Sequence, residues 1–119
     1  MRIFLLLLPA LLLAGCDAVG GCTDEAIFGL RIEARAADGA TLDADGVLGL
    51  ARDESFVDTL EVFAFDGTLD LYGAGERAGR YDITISKPGY QTWRRENVRV
   101  TENECHVNTV RLEAFLERE

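Results

Sequence analysis

The chain predicts a small all-β sandwich, on three observations. No window of ten or more residues carries helical periodicity. Short runs of alternating apolar and polar residues dominate instead, and glycine and aspartate separate them. Period-two alternation suits a strand with one wet face, because successive side chains point to opposite sides of a sheet. Behind an apolar leader about 104 of the 119 residues remain, enough for one domain with one core. There is no internal repeat and no low-complexity segment.

Phe28, Leu30, Ile32 and Ala34 alternate with Gly29, Arg31, Glu33 and Arg35, and Asp38-Gly39 ends this first strand in a turn. After Asp45-Gly46, Leu48 and Leu50 share one side of a second run. Leu60, Val62 and Ala64 alternate with Glu61, Phe63 and Phe65. Both faces of that run are substantially apolar, which predicts a central strand, closed by Asp66-Gly67. Leu69 to Gly79 is less regular, broken by Gly73 and Gly75 and carrying an exposed-looking Glu76-Arg77.

Arg80 to Ser86 is the cleanest strand, with Tyr81, Ile83 and Ile85 inward and Asp82, Thr84 and Ser86 outward. Lys87-Pro88-Gly89-Tyr90 reads as a type II turn: proline fixes φ at its second position and glycine supplies positive φ at its third. Tyr90 to Arg94 returns as the next strand, and Val98 and Val100 mark another short one. The last strand, from Cys105, has a parity conflict between Val107 and the set Val110, Leu112, Ala114 and Leu116. A one-residue bulge near Asn108-Thr109 would place all five on one side. Residues 117–119 follow as a charged tail.

The leader sets the address. Met1-Arg2 precedes an unbroken apolar run from Ile3 to Leu13, the layout of an export signal. A membrane-spanning helix needs about 20 apolar residues, and Asp17 arrives too early for that. Leu13-Ala14-Gly15-Cys16 resembles the lipobox of bacterial lipoproteins. The resemblance implies cleavage after Gly15, so that residues 1–15 are a signal peptide, and diacylglycerol and acyl chains on Cys16. Several chains give durable anchoring to a lipid bilayer where one is marginal. Ordinary secretion with a chance cysteine is the competing reading. In well-studied Gram-negative lipoproteins an aspartate in the place of Asp17 favours the periplasmic face of the inner membrane, with the outer membrane as the other destination. Residues 16–21 form a tether of at most ~20 Å, so the domain sits close to the surface.

The whole chain has 12 basic and 21 acidic side chains. Without Arg2 the balance is about −10, which opposes nucleic acid and anionic headgroups alike. With Cys16 given to lipid, Cys22 and Cys105 remain as a pair in an oxidising compartment. A bridge between them closes a loop of roughly 84 residues, a constraint of about 4.5 kcal/mol in the chain-entropy model. Two free thiols are the alternative.

Ala78-Gly79-Arg80-Tyr81-Asp82-Ile83-Thr84-Ile85, Lys87-Pro88-Gly89-Tyr90, Val98-Arg99-Val100 and Cys105-His106-Val107 together resemble the carboxypeptidase regulatory-like domain. The likeness covers most of residues 22–116 and is strongest from Gly79 to Leu112. It implies an immunoglobulin- or prealbumin-like sandwich of about seven strands. In metallocarboxypeptidases such a domain accompanies the catalytic one and hydrolyses nothing itself.

Catalytic chemistry finds little to work with. A zinc peptidase needs several imidazole or carboxylate ligands together, and this chain has one histidine, His106. Ser55 and Ser86 are its only serines and neither lies in Gly-x-Ser-x-Gly. Asp43-Ala44-Asp45-Gly46 is similar to the start of an EF-hand loop, and Glu54 holds the twelfth place. Val47 occupies the fifth, where a ligand is needed, so a hydrated turn is the better reading. Arg94-Arg95 beside Trp93 reads as a solvated edge. Tyr90 and Trp93 are the candidate ligand surface, weighed against core or turn-locking roles.

The expectation is a non-enzymatic, membrane-anchored envelope lipoprotein without cofactor or metal, acting as an interaction or structural module. Its partner would be an envelope protein or a glycan. The alternative is a binding module for a small ligand, glycan or peptide, displayed at the membrane surface.

Overall fold

The computed structural model describes residues 22–119. The expected signal peptide (residues 1–15), the lipobox-like motif ending at Cys16 and the expected tether (residues 16–21) therefore lie outside the described residues. Eight strands follow: β1 (Phe28–Ala36), β2 (Leu48–Asp53), β3 (Phe56–Thr59), β4 (Glu61–Phe65), β5 (Thr68–Gly75), β6 (Gly79–Ser86), β7 (Trp93–Val100) and β8 (Val110–Leu116). They form two four-stranded sheets, ordered β4-β5-β1-β8 and β3-β2-β6-β7, so the chain is a β-sandwich. All neighbours are antiparallel except β1 and β8, which run parallel.

The core lies between the sheets. Leu30, Ile32 and Ala34 of β1, Leu69 and Leu71 of β5, and Ala114 and Leu116 of β8 meet Ala51, Tyr81, Ile83, Ile85, Val98 and Val100 of the second sheet. β6 behaves as its alternation predicts: Tyr81, Ile83 and Ile85 are buried, and Asp82 is exposed. The turn after it is the predicted type II form, with Tyr90 N–H donating to the Lys87 carbonyl at 3.1 Å and Gly89 at φ 85°.

Several strand expectations need correction. The Leu60–Phe65 run is an edge strand, and Phe63 and Phe65 stand in solvent at 54% and 73% exposure. Asp66 and Gly67, at φ 52° and 81°, both take the left-handed conformation of a type I′ turn, which folds β4 straight back onto β5. The supposedly irregular stretch is then the interior strand β5. Its glycines mark close packing: a Cβ on Gly73 would overlap the Leu60 side chain. Leu48 and Leu50 do share a side, but it is the outer one. Gly49 and Ala51 face the core because Leu60 and Leu71 already fill the space above Gly49.

Phe28 does not join the inward set of β1, since Gly29 breaks the alternation before Leu30. A Cβ on Gly29 would meet the Ala74 carbonyl and Val100 Cγ1, each at 2.8 Å. One contact is backbone and the other a stiff β-branched side chain. Gly29→Ala is therefore expected to cost about 1–3 kcal/mol, read by urea denaturation.

The predicted pair of short strands is one strand, β7. A bulge at Glu96-Asn97 opposite Asp82 switches its parity, with Asn97 at φ 55° and its N–H bonded to the Asp82 carboxylate at 3.0 Å. At the C-terminus a break takes the place of the expected bulge. Val107 bridges Glu102, Asn108 N–H bonds the Thr101 carbonyl, and β8 starts only at Val110. The final residues are paired as well. Gln91 N–H donates to the Glu117 carbonyl at 2.7 Å, and Glu119 N–H to the Gly89 carbonyl at 3.1 Å.

Candidate functional site

At the N-terminal pole, Cys22 and Cys105 form a disulfide with an S–S distance of 2.00 Å and Cα atoms 5.0 Å apart. Asn103 shapes the loop around Cys105, its side-chain oxygen accepting the N–H groups of Cys105 and His106 at 2.8 and 2.9 Å. His106 sits in this bend, and both its ring nitrogens are engaged: Nδ1 with Glu76 Oε1 at 2.5 Å, Nε2 with Thr23 Oγ1 at 3.0 Å. The open hollow beside it, about 460 Å³, is bordered by Asp24, Glu25, Glu76, Glu102 and Glu104. No grouping of three or more His, Cys, Asp or Glu side chains among the described residues has the geometry to hold a metal.

Glu76 also accepts the Ile27 N–H at 2.9 Å. That bond, followed by His106, holds its carboxyl below the ordinary glutamate range. A depressed folded-state value means the stabilisation is present above the unfolded pKa and is lost as pH falls through the folded one. Glu76→Gln is accordingly expected to lower the melting temperature at about pH 7, with the difference from the parent chain vanishing at about pH 2.

The EF-hand-like turn already contains a cation. Lys87 Nζ donates to Asp43 Oδ1 at 2.8 Å and to the Asp45 carbonyl at 2.9 Å. This bond, with the Asp45 N–H, keeps the Asp43 carboxyl below its ordinary value. The side chain therefore stitches the loop at 43–46 onto the type II turn.

Tyr90 and Trp93 do not form an exposed aromatic platform. Tyr90 is 8% exposed, with the Arg118 guanidinium 5.2 Å from its ring centre, and Arg118 in turn bonds Asp38. Trp93 is half-buried at the margin of the core. Tyr90 packs at the turn, while Trp93 keeps part of its ring at the surface, with the Arg95 guanidinium 5.4 Å from its centre.

The exposed aromatic rings lie elsewhere, on the outer face of the first sheet. Tyr72 of β5 packs against Phe28 at 5.3 Å and edge-on to Phe63 of β4 at 5.8 Å between ring centres. Arg31 of β1 lies 5.7 Å from the Tyr72 ring centre. Phe65 continues the surface toward an open hollow of about 350 Å³, also lined by Arg31, Glu33, Asp66, Thr68 and Asp70. In the second sheet, β3 exposes Val57, opposite Arg52 on that sheet's outer face, and Phe56, which lies under the Arg77 guanidinium at 3.8 Å. Phe115 of β8, opposite Arg35, is exposed on the same outer face of the first sheet, and Leu48 is exposed on the outer face of the second.

Sequence reasoning missed these residues because two apolar faces signal equally a buried central strand and an edge strand with an apolar outer face. The Asp66-Gly67 hairpin signal was available, but by itself it does not say on which side the hairpin ends the sheet. No family model, curated protein or solved structure matches the chain.

Proposed function

We propose that this chain is a lipid-anchored, non-enzymatic protein of the bacterial cell envelope whose sandwich works by contact. The observation that carries the reading is the Phe28–Tyr72–Phe63 cluster on the outer face of the first sheet, where the rings add nothing to the core between the sheets. Exposed, mutually packed aromatics rimmed by charges are the surface chemistry of recognition. The Leu13–Cys16 motif supports the anchor. The likeness of residues 79–112 to carboxypeptidase regulatory-like domains supports contact without catalysis.

Under this reading the acidic pole around Cys22 faces the headgroups and is repelled by anionic lipid, so the acyl chains alone hold the domain at the surface. The test is detergent phase partition with mass spectrometry of the mature N-terminus. The parent chain is expected in the detergent phase with an acylated Cys16, and Cys16→Ser in the aqueous phase. An unmodified N-terminus upstream of Cys16 overturns the anchor. The small-ligand alternative moves from Tyr90 and Trp93 to the hollow beside Phe65, where a sugar could stack on a ring and bond Arg31 and Asp70.

A further inference from the structure

Resting on the contact reading above, we infer that β4 is a docking edge for an extended segment of a partner polypeptide, one with an apolar centre flanked by basic residues that adds to the first sheet as a further strand. The geometry of the hairpin comes first. In a two-residue hairpin the pair flanking the turn, Phe65 and Thr68, is hydrogen-bonded, and bonding alternates along the ladder. Phe63–Asp70 and Glu61–Tyr72 are then bonded pairs, while Val62 and Ala64 turn their N–H and C=O groups away from β5. β4 ends its sheet, so these groups form an open template.

The edges of the sandwich are unequally defended. β7 is interrupted by its bulge, carries exposed Arg94, Arg95, Glu96 and Arg99, and lies against β8. β4 has neither device: no bulge, no proline, no lysine or arginine. A strand left open and largely apolar on its outer face, when the β7 edge of the other sheet is charged and kinked, is the form that strand addition uses.

Charge selects the occupant. Residues 54–66 contain Glu54, Asp58, Glu61 and Asp66 and no basic side chain. Asp58 is turned inward onto the Ala74 N–H at 2.7 Å, whereas Glu54, Glu61 and Asp66 are exposed. Glu61, Phe63 and Phe65 share one face of β4, so an incoming strand meets Glu61 and Asp66 with basic residues toward its two ends and extends the Phe63–Phe65 surface with apolar residues between them. A second copy of this chain would bring an edge that is itself acidic and has no basic side chain to meet Glu61 and Asp66, which disfavours self-pairing.

The experiment pans a phage-displayed library of random peptides, about 12 residues long so as to span an edge strand, against the purified full chain in detergent. Enriched peptides are expected to carry an apolar centre flanked by basic residues. They should bind at least tenfold more weakly to Ala64→Pro, which removes one outward N–H and no hairpin bond. The Glu61→Lys/Asp66→Lys pair tests the charge should the proline variant fail to fold, and the same loss is expected of it. On binding, the Val62 and Ala64 amides should gain protection from hydrogen exchange, with Phe63 unchanged.

No enrichment, or enriched peptides that bind the folded variants as well as the parent, overturns the inference. So does dimerisation abolished by Ala64→Pro, which would make a second copy the occupant, and so does a glycan that binds at Tyr72 without protecting Val62 and Ala64. Failure of detergent partition with peptide binding intact would remove the anchor and leave the docking edge; the reverse result would remove the edge alone.

Discussion

Breaking the disulfide between Cys22 and Cys105 is expected to remove about 4.5 kcal/mol of stability. The two residues are 83 positions apart, and the bridge joins the segment leading into β1 to the loop leading into β8. Freed of that constraint, nearly the whole domain gains chain entropy in its unfolded state. The figure is comparable with the entire stability of a small domain. Urea titrations of the oxidised chain, the reduced chain and Cys105→Ser measure it. The reduced and mutant forms should agree with each other and unfold at much lower denaturant. A reduced form within about 1 kcal/mol of the oxidised one would show that the Asn103-centred bonds hold the loop without the bridge.

Tyr81→Ala is expected to cost about 3–5 kcal/mol, and Tyr81→Phe about 1–1.5 kcal/mol. The ring is wholly buried at the centre of β6, so truncation leaves a cavity between the sheets. Its hydroxyl donates to the Arg77 carbonyl at 2.8 Å and accepts from Arg77 Nη1 at 3.0 Å. Arg77 Nη1 also reaches Asp53 Oδ2 at 3.0 Å, and the guanidinium covers Phe56. The Tyr81 and Asp53 bonds hold the Arg77 guanidinium above its ordinary pKa. The phenylalanine variant keeps the volume and leaves one carbonyl without its donor, so the gap between the two variants separates packing from hydrogen bonding. Denaturation midpoints of both, with circular dichroism to confirm the fold, are the measurement. Equal losses for Phe and Ala would place the whole effect in the hydroxyl.

The strands that could be read from residues alone are those whose information is local. Tyr81, Ile83 and Ile85 alternate cleanly because one face of β6 meets the core and the other does not, and the Pro88-Gly89 turn is specified by two residues' own φ preferences. The disulfide was legible because the lipobox resemblance set the third cysteine aside. Legibility failed where one pattern has two physical causes. Phe63 and Phe65 satisfy a central strand as well as an exposed one, and Gly73 looks like a breaker unless Leu60 is known to lie against it. Tyr90 and Trp93 carry the same ambiguity, since an aromatic beside a turn locks it as readily as it receives a ligand, and only the fold shows Tyr90 buried and Trp93 half-buried.

By itself, then, the sequence determined the all-β class, the central alternation of β1 and β6, the type II turn and which cysteines are left to pair, because each depends on residues near in sequence or on a simple count. Only the tertiary structure decided that β4 stands at an edge, that β5 takes the interior, that β8 runs parallel to β1 and that the aromatic surface faces water. Those outcomes depend on which strand covers which, a competition for neighbours across tens of residues that no local pattern records.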